Sequence, residues 1–359
     1  MPFPPTGIAL LFFPTHGDWK CARGDSAQPS VVWNDESTDA SVLRFMKQLE
    51  MIIDDDTTDI FISARSGVWK RTCHGHSEQV QRAIPEDLAR AVAVKLIGRG
   101  GRHIDDARPA VDVALNDGVR VHAILGGVSV GGTEVSIRLP SREVMNLDDM
   151  LAVNAAPELA PFLRDAVARA RTLLVTGRAG AGKTSLLGAL LAVVPPAERI
   201  IVVEDVSELR IQHDRVISLE TRPANSEGRG EIGVTELIRQ TLRMRPDRLV
   251  LGECRGAEVL DMLMAFNTGH TGGGSTMHAN SLRDVPSRIV ALCALAGRSE
   301  SETALLARSA IDLVIHIDVA SEQRRLSVGR LVVKKEEAGL RLDVEEISFG
   351  ATSARHGDA

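Results

Sequence analysis

The strongest chemical signal is a run of consecutive residues. Gly177, Arg178, Ala179, Gly180, Ala181, Gly182, Lys183 and Thr184 fit the spacing G-x-x-x-x-G-K-[ST], and Ser185 follows them. Glycines let backbone N–H groups curve round a phosphate with no Cβ in the way, and a helix opening next adds partial positive charge. A lysine facing that ring of N–H groups is unreasonable without an anion. Lys183 therefore reads as a contact to the β- and γ-phosphates of a nucleoside triphosphate, and the Thr184 hydroxyl as a ligand of its Mg2+.

Hydrolysis needs carboxylates at the same place. "RPDRLVLGECRG" (245–256) is an apolar strand ending in Gly252 and Glu253, and "IIVVEDVSEL" (200–209) ends its own apolar run in Glu204 and Asp205. A parallel sheet presents its ligand at the carboxyl ends of its strands. Glu253 and Glu204 are expected there, one polarising the attacking water and one supporting the metal shell. The less favoured alternative is that Asp205 caps the turn that follows. "GHTGGGSTMHAN" (269–280) sets His270 and His278 around a triple glycine and a buried strand, without the further ligands a zinc site needs. His278 either reads the γ-phosphate or is a satisfied core histidine.

Positioning these groups requires a particular architecture. From residue 172 short Val-, Ile- and Leu-rich strands alternate with helices: "TLLVTG", "RIIVVED", "VISLET", "RLVLGE", "STMHAN". Such strands suit a parallel sheet covered on both faces, an α/β fold. Upstream, apolar spacing predicts helices over 41–53 and 86–98, strands at 58–63 and 133–140, and a hairpin over 110–125 with Gly118 supplying positive φ. These elements make a smaller α+β domain. The expected division is an irregular, proline-bearing stretch at 1–40, the α+β domain at 41–145, a linker and helix at 146–170, the phosphate-loop domain at 171–350 and a disordered tail at 351–359. Residues 324–349 read as closing strands with a turn at Ala338 and Gly339.

Composition narrows the class. The 359 residues are 44% hydrophobic and 25% charged, ordinary for a soluble globular protein, and no apolar run approaches a membrane span. "GIALLFF" (7–13) lacks the flanks of a signal peptide. Cys21, Cys73, Cys254 and Cys293 show no metal spacing and read as buried or incidental thiols in a reducing compartment. A net charge of −6, 3% aromatics and no tyrosine offer neither a basic stripe nor a stacking platform, so nucleic acid is not the expected partner.

Segments "GRAGAGKTSLL", "IIVVEDVSEL", "LETRPAN", "LIRQTLRMRPDRLVLGECRGAEVLDML", "NTGHTGGGSTMHAN" and "AIDLVI" occur in one order over residues 171–320. In that order they resemble the type II/type IV secretion ATPase superfamily, in particular its tight-adherence (Tad/Flp) pilus branch. The resemblance implies a RecA-like P-loop domain, ATP with Mg2+, and Thr184, Glu204 and Glu253 around the metal. It also implies a homohexameric motor, peripheral on the cytoplasmic face of the inner membrane, acting on platform proteins of a pilus or secretion machine.

The same resemblance makes Arg120 and Arg138 the N-terminal-domain arginines that reach the phosphates. It makes Arg222, Arg239, Arg243, Arg245 and Arg248 candidates for acting on a neighbouring subunit's nucleotide, with Arg222 and Arg243 favoured and a solvated basic face as the alternative. Residues 63–79 depart from the family pattern. "GGVSVGGT" (126–133) carries glycines where relatives more often have prolines, which implies a looser loop beside the nucleotide. Two other readings stay open: a conjugation-type or DNA-translocating ATPase of the same fold, and a nucleotide-gated scaffold with little turnover.

Overall fold

The computed structural model describes residues 40–73, 75–115, 118–139, 146–151, 157–222, 224, 229–320, 323–337 and 339–349. The stretch expected to be irregular before residue 40, residues 140–145 and 152–156, Ala338 and the tail at 351–359 lie outside them. The chain divides into two compact units, one up to residue 143 and one from 144 onward.

In the first unit, α1 (Ala40–Ile52) buries the stripe Val42, Phe45, Met46 and Leu49, the three-to-four spacing of an amphipathic helix. Strands β1 (Thr57–Ser63), β2 (Gly67–Thr72) and β3 (Ser77–Gln81) precede α2 (Glu86–Arg99), and β4 (Ala110–Ala114), β5 (Arg120–Ile124) and β6 (Glu134–Arg138) follow it. They form an antiparallel sheet in the order β3-β2-β1-β6-β5-β4, whose Ile60, Val121 and Ile137 share one core with both helices. Gly118 takes φ 78° at the β4–β5 connection, as expected. Residues 63–79, set apart above, supply β2 and β3.

The glycine loop between β5 and β6 is fastened at its end by a carboxylate. Glu86, at the start of α2, accepts the Thr133 N–H at 2.7 Å and the Thr133 hydroxyl at 2.6 Å. A Cβ on Gly126 or Gly132 would stand 2.7 or 2.5 Å from the Glu86 carboxylate oxygens. These glycines make room for the carboxylate that fastens the loop at its base.

The second unit begins with α3 (Leu147–Leu151) and α4 (Leu159–Ala168), then runs β7 (Leu173–Gly177), α5 (Lys183–Ala192), β8 (Ile200–Glu204), β9 (Val216–Glu220), α6 (Val234–Thr241), β10 (Arg248–Cys254), α7 (Glu258–Asn267), β11 (Gly274–His278), α8 (Val285–Leu295), α9 (Glu300–Ala310), β12 (Leu313–Ala320), β13 (Gln323–Glu336) and β14 (Gly339–Ile347). The sheet order is β14-β13-β12-β7-β11-β10-β8-β9. From β12 to β9 the strands are parallel, and β13 and β14 close one edge antiparallel. Leu173 and Val175 pack under α3, α4 and α5, while Leu174 between them faces α6 to α9. Every residue of β7 and β8 is buried, as a sheet covered on both faces requires. No helix among the described residues is long and apolar enough to cross a membrane.

Candidate functional site

The loop from Gly177 to Gly182 joins β7 to α5. Gly180 and Gly182 hold φ 74° and 95°, left-handed values that glycine takes without strain. Helix α5 starts at Lys183 with Gly182 as its N-cap and no capping side chain, so its first-turn N–H groups are left for a ligand. Thr184 and Ser185 occupy that first turn, while Ala181 is 1% exposed and contributes its methyl to the core beneath.

Sheet order explains what gathers at this loop. β11 lies beside β7 with His278 opposite Gly177, β10 lies beside β11, and β8 beside β10, all parallel. Their carboxyl ends therefore bring His278, Glu253 and Glu204 to the edge where the loop leaves β7. Between Leu251 and Glu253 the β10–β11 register slips by one residue at Gly252, a bulge that re-aims the following side chain.

A continuous polar chain results. Lys183 Nζ donates to the Arg178 carbonyl at 3.2 Å and lies 3.3 Å from His278 Nδ1. His278 Nε2 stands 2.8 Å from Glu253 Oε1, and Arg255 Nε donates to Glu253 Oε2 at 2.6 Å. The imidazole stands between the two charged groups, its Nδ1 facing the Lys183 ammonium and its Nε2 facing the Glu253 carboxylate. Burial, then the Lys183 charge beside it, lowers the His278 pKa from its ordinary 6.5. Burial likewise lowers the Lys183 pKa, opposed by Glu253 and Glu208 and reinforced by Arg255. The cationic form of this buried lysine is undercompensated, which a phosphate anion would correct.

Glu204 is 6% exposed, and its Oε1 accepts the Leu209 N–H at 3.0 Å and the Glu208 N–H at 3.2 Å. A Cβ on Gly252 would lie 2.5 Å from Glu204 Cγ and 2.7 Å from its Oε1, so the carboxylate lies directly across the glycine at the bulge. Asp205 is exposed, and its carbonyl accepts the Thr221 hydroxyl. Among the described residues no three of His, Cys, Asp and Glu cluster as a metal site. Mg2+ keeps several waters and takes one or two protein oxygens beside substrate phosphates, which Thr184 with the two glutamates can provide.

Other expected residues lie elsewhere. Arg120 and Arg138 stand directly opposite each other on β5 and β6, in the first unit, and Arg138 also faces Asp59 across β1. Arg222 is exposed past the end of β9, its Nε donating to the Gly230 carbonyl at 2.8 Å. Arg239 is exposed on α6, and Arg243 and Arg245 are exposed between α6 and β10, towards the amino end of that strand. Arg248 is not available to a neighbour: it is 1% exposed, paired with Glu198 and donating to the Gly272 carbonyl at 2.9 Å. His270 is half-buried at the amino side of β11 and does not join the polar chain.

The described thiols take no part. Cys254 is buried with its pKa pushed up to about 12 by that burial, and Cys293 is buried as well, while Cys73 is exposed. Sequence reasoning missed Arg255 and Glu208, whose charges reach Lys183; the only local signal was the proximity of "ECRG" and "VSEL" to the two acids.

The family model described as "Type II/IV secretion system protein" matches residues 35–339. The chain is 41% identical over 286 residues to a putative conjugal transfer protein of Mycobacterium tuberculosis, an alignment covering 77% of this chain and 81% of the relative. It is 33% identical over 294 residues to the type IV secretion system protein PtlH of Bordetella pertussis, covering 75% and 86%. Among solved structures, the Legionella pneumophila ATPase DotB superposes with a TM-score of 0.59 at 18% identity, covering 85% of this chain and 84% of that one. The pilus retraction motor PilT with bound ADP superposes with a TM-score of 0.55 at 20% identity, covering 87% and 83%. Both share this fold.

Proposed function

The chain belongs to the type II/IV secretion system protein family, and we propose that it is an ATP-hydrolysing motor that drives pilus assembly or protein secretion across the inner membrane. The observation that carries this reading is the chain Lys183–His278–Glu253–Arg255 at the mouth of the glycine loop. In it the loop N–H groups and Lys183 bind the β- and γ-phosphates, and Thr184, Glu204 and Glu253 are the residues that would hold Mg2+. Bound Mg2+ would neutralise developing charge on the phosphates. Glu253, held at Oε2 by Arg255 and with His278 beside Oε1, orients the attacking water and takes its proton. His278 couples that carboxylate to the lysine on the phosphates, so that charge arriving at one is felt at the other.

The working assembly in this proposal is a homohexamer of the tight-adherence branch, engaging membrane platform proteins from the cytoplasmic side. Arg120 and Arg138 reach the nucleotide from the first unit, and Arg222 or Arg243 reaches it from the next subunit. A conjugation-type ATPase of the same fold is the second reading, favoured by the name of the mycobacterial relative. The net charge of −6 and scarcity of aromatics speak against direct contact with DNA in either case.

MgATP turnover, measured over a concentration series followed by sedimentation, tests the motor. Turnover per subunit should rise steeply with assembly and ignore added DNA. A Lys183→Ala subunit mixed with an Arg222→Ala or Arg243→Ala subunit should regain activity, because the first still donates its arginine and the second keeps a working pocket. Constant turnover per subunit through assembly, with no recovery in either mixture, rejects the motor; stimulation by DNA selects the second reading.

A further inference from the structure

We propose that Arg324, on the antiparallel strand β13, is a second cation for the phosphate chain, supplied by the same subunit as the glycine loop. The proposal rests on the nucleotide reading of that loop. β13 alternates: Leu326 and Val328 pack into the core beneath α5, with Leu186, Leu187 and Leu190. Two residues earlier, Arg324 continues the same face to the point where α5 begins. Its Nε, Cζ and one Nη lie 3.8, 3.8 and 3.9 Å from where a Cβ on Gly182 would stand. The guanidinium thus sits beside the last glycine before Lys183, half-buried rather than extended into solvent.

That placement is electrostatically adverse in the empty protein. The N-terminus of α5 carries partial positive charge, and Lys183 adds a full one. A carboxylate would be the ordinary neighbour of such an end, yet a guanidinium is held there and has no carboxylate partner among the described residues. An anion between Arg324 and the loop N–H groups resolves the repulsion. Guanidinium, with paired donors in a plane, suits two phosphate oxygens better than an ammonium does. Arg324 approaches the loop from β13, on the far side of β7 from Glu253 and His278.

The test uses the full chain with Mg2+ and a fluorescent ADP analogue, and inorganic pyrophosphate as competitor. Arg324→Ala and the better-shaped Arg324→Gln should each weaken ADP by about tenfold, the scale of one lost charge-assisted contact. Pyrophosphate competition should weaken by the same factor, and Arg324→Lys should recover part of it. Thermal unfolding without nucleotide should not fall, since the variants relieve repulsion at α5. ADP affinity within twofold of wild type in both uncharged variants overturns the proposal. So does weakened ADP with unchanged pyrophosphate, which would move Arg324 to the base or ribose. Wild type and Lys183→Ala binding ADP equally poorly would instead reject the glycine-loop reading itself.

Discussion

Gly252 should be irreplaceable even by alanine, for a reason confined to one contact. Its φ lies outside the left-handed region, so an alanine backbone fits there. The added Cβ does not: it would stand 2.5 Å from Glu204 Cγ, 2.7 Å from Oε1 and 3.0 Å from Cδ. Glu204 cannot swing aside freely, because it is 6% exposed and fixed by the Leu209 and Glu208 N–H groups. Overpacking of this kind costs about 1–3 kcal/mol, and loosening the carboxylate's hydrogen bonds adds about 1 kcal/mol. Gly252→Ala should therefore destabilise the protein by about 2–4 kcal/mol, a fall in Tm of roughly 5–15 °C for a unit of this size. A shift of about 1 Å in Glu204 should lower ATP turnover by about a hundredfold. A double-mutant cycle by urea unfolding isolates the contact. Once Glu204→Ala has removed the clashing side chain, adding Gly252→Ala should cost at least about 1 kcal/mol less than it does in wild type. Strictly additive costs, or a single variant within about 0.5 kcal/mol of wild type, would refute the steric account.

Lys183→Ala should lose more than nine-tenths of ATP turnover with unchanged thermal unfolding, because the side chain lies beside the Arg178 carbonyl and His278 at the glycine loop and not among the apolar core residues; retained turnover above a tenth counts against the phosphate contact. Arg248→Met should cost about 2–3 kcal/mol in urea unfolding by stranding the Gly272 carbonyl and Glu198, less than a fully buried pair because Glu198 stays 29% exposed; a change below about 0.5 kcal/mol would return Arg248 to the surface. Burial lowers the pKa of His316, which bonds Thr176 Oγ1 at 3.0 Å, against the opposing charges of Asp318 and Asp284 and with that of Arg178. Below its ordinary 6.5 the unfolded chain then binds the proton more readily, so stability is lost as pH falls from 6.5 towards the folded value. His316→Gln should flatten that acid-side slope in unfolding at pH 7.5 and 5.5, leaving the share due to His278; an unchanged slope would assign it elsewhere.

The glycine loop was legible because its chemistry lies in consecutive residues and needs only a strand before it and a helix after it. Glu253, Glu204 and His278 were legible as strand ends, since a parallel sheet gathers carboxyl ends whatever its strand order. What joins them was not. The bulge at Gly252 and the His278–Glu253 contact depend on β11 inserting between β7 and β10, an order no local pattern encodes. Arg248 looked like one more arginine of a basic stretch, yet it opens a strand whose amino end is roofed by the Gly272 turn. Arg324 lay in what read as closing strands, and its nearness to Gly182 arises only because β12 places β13 two strands from the loop. The glycine-rich loop at 126–133 looked loose because Glu86, forty residues upstream in sequence, gives no local sign of fastening it.

The central claim is that Glu253 contributes far more to hydrolysis than to binding, the loop N–H groups, Lys183, Thr184 and Glu204 carrying most of the nucleotide's hold. Glu253→Gln keeps the shape and hydrogen-bonding reach of the side chain and removes its charge and basicity. Equilibrium binding of MgATP and steady-state turnover, measured on the same preparation, separate the two roles. The account predicts affinity within about threefold of wild type and turnover lower by at least about a hundredfold, the scale of a lost general base. Turnover per bound nucleotide equal to wild type, with any loss confined to affinity, would contradict it.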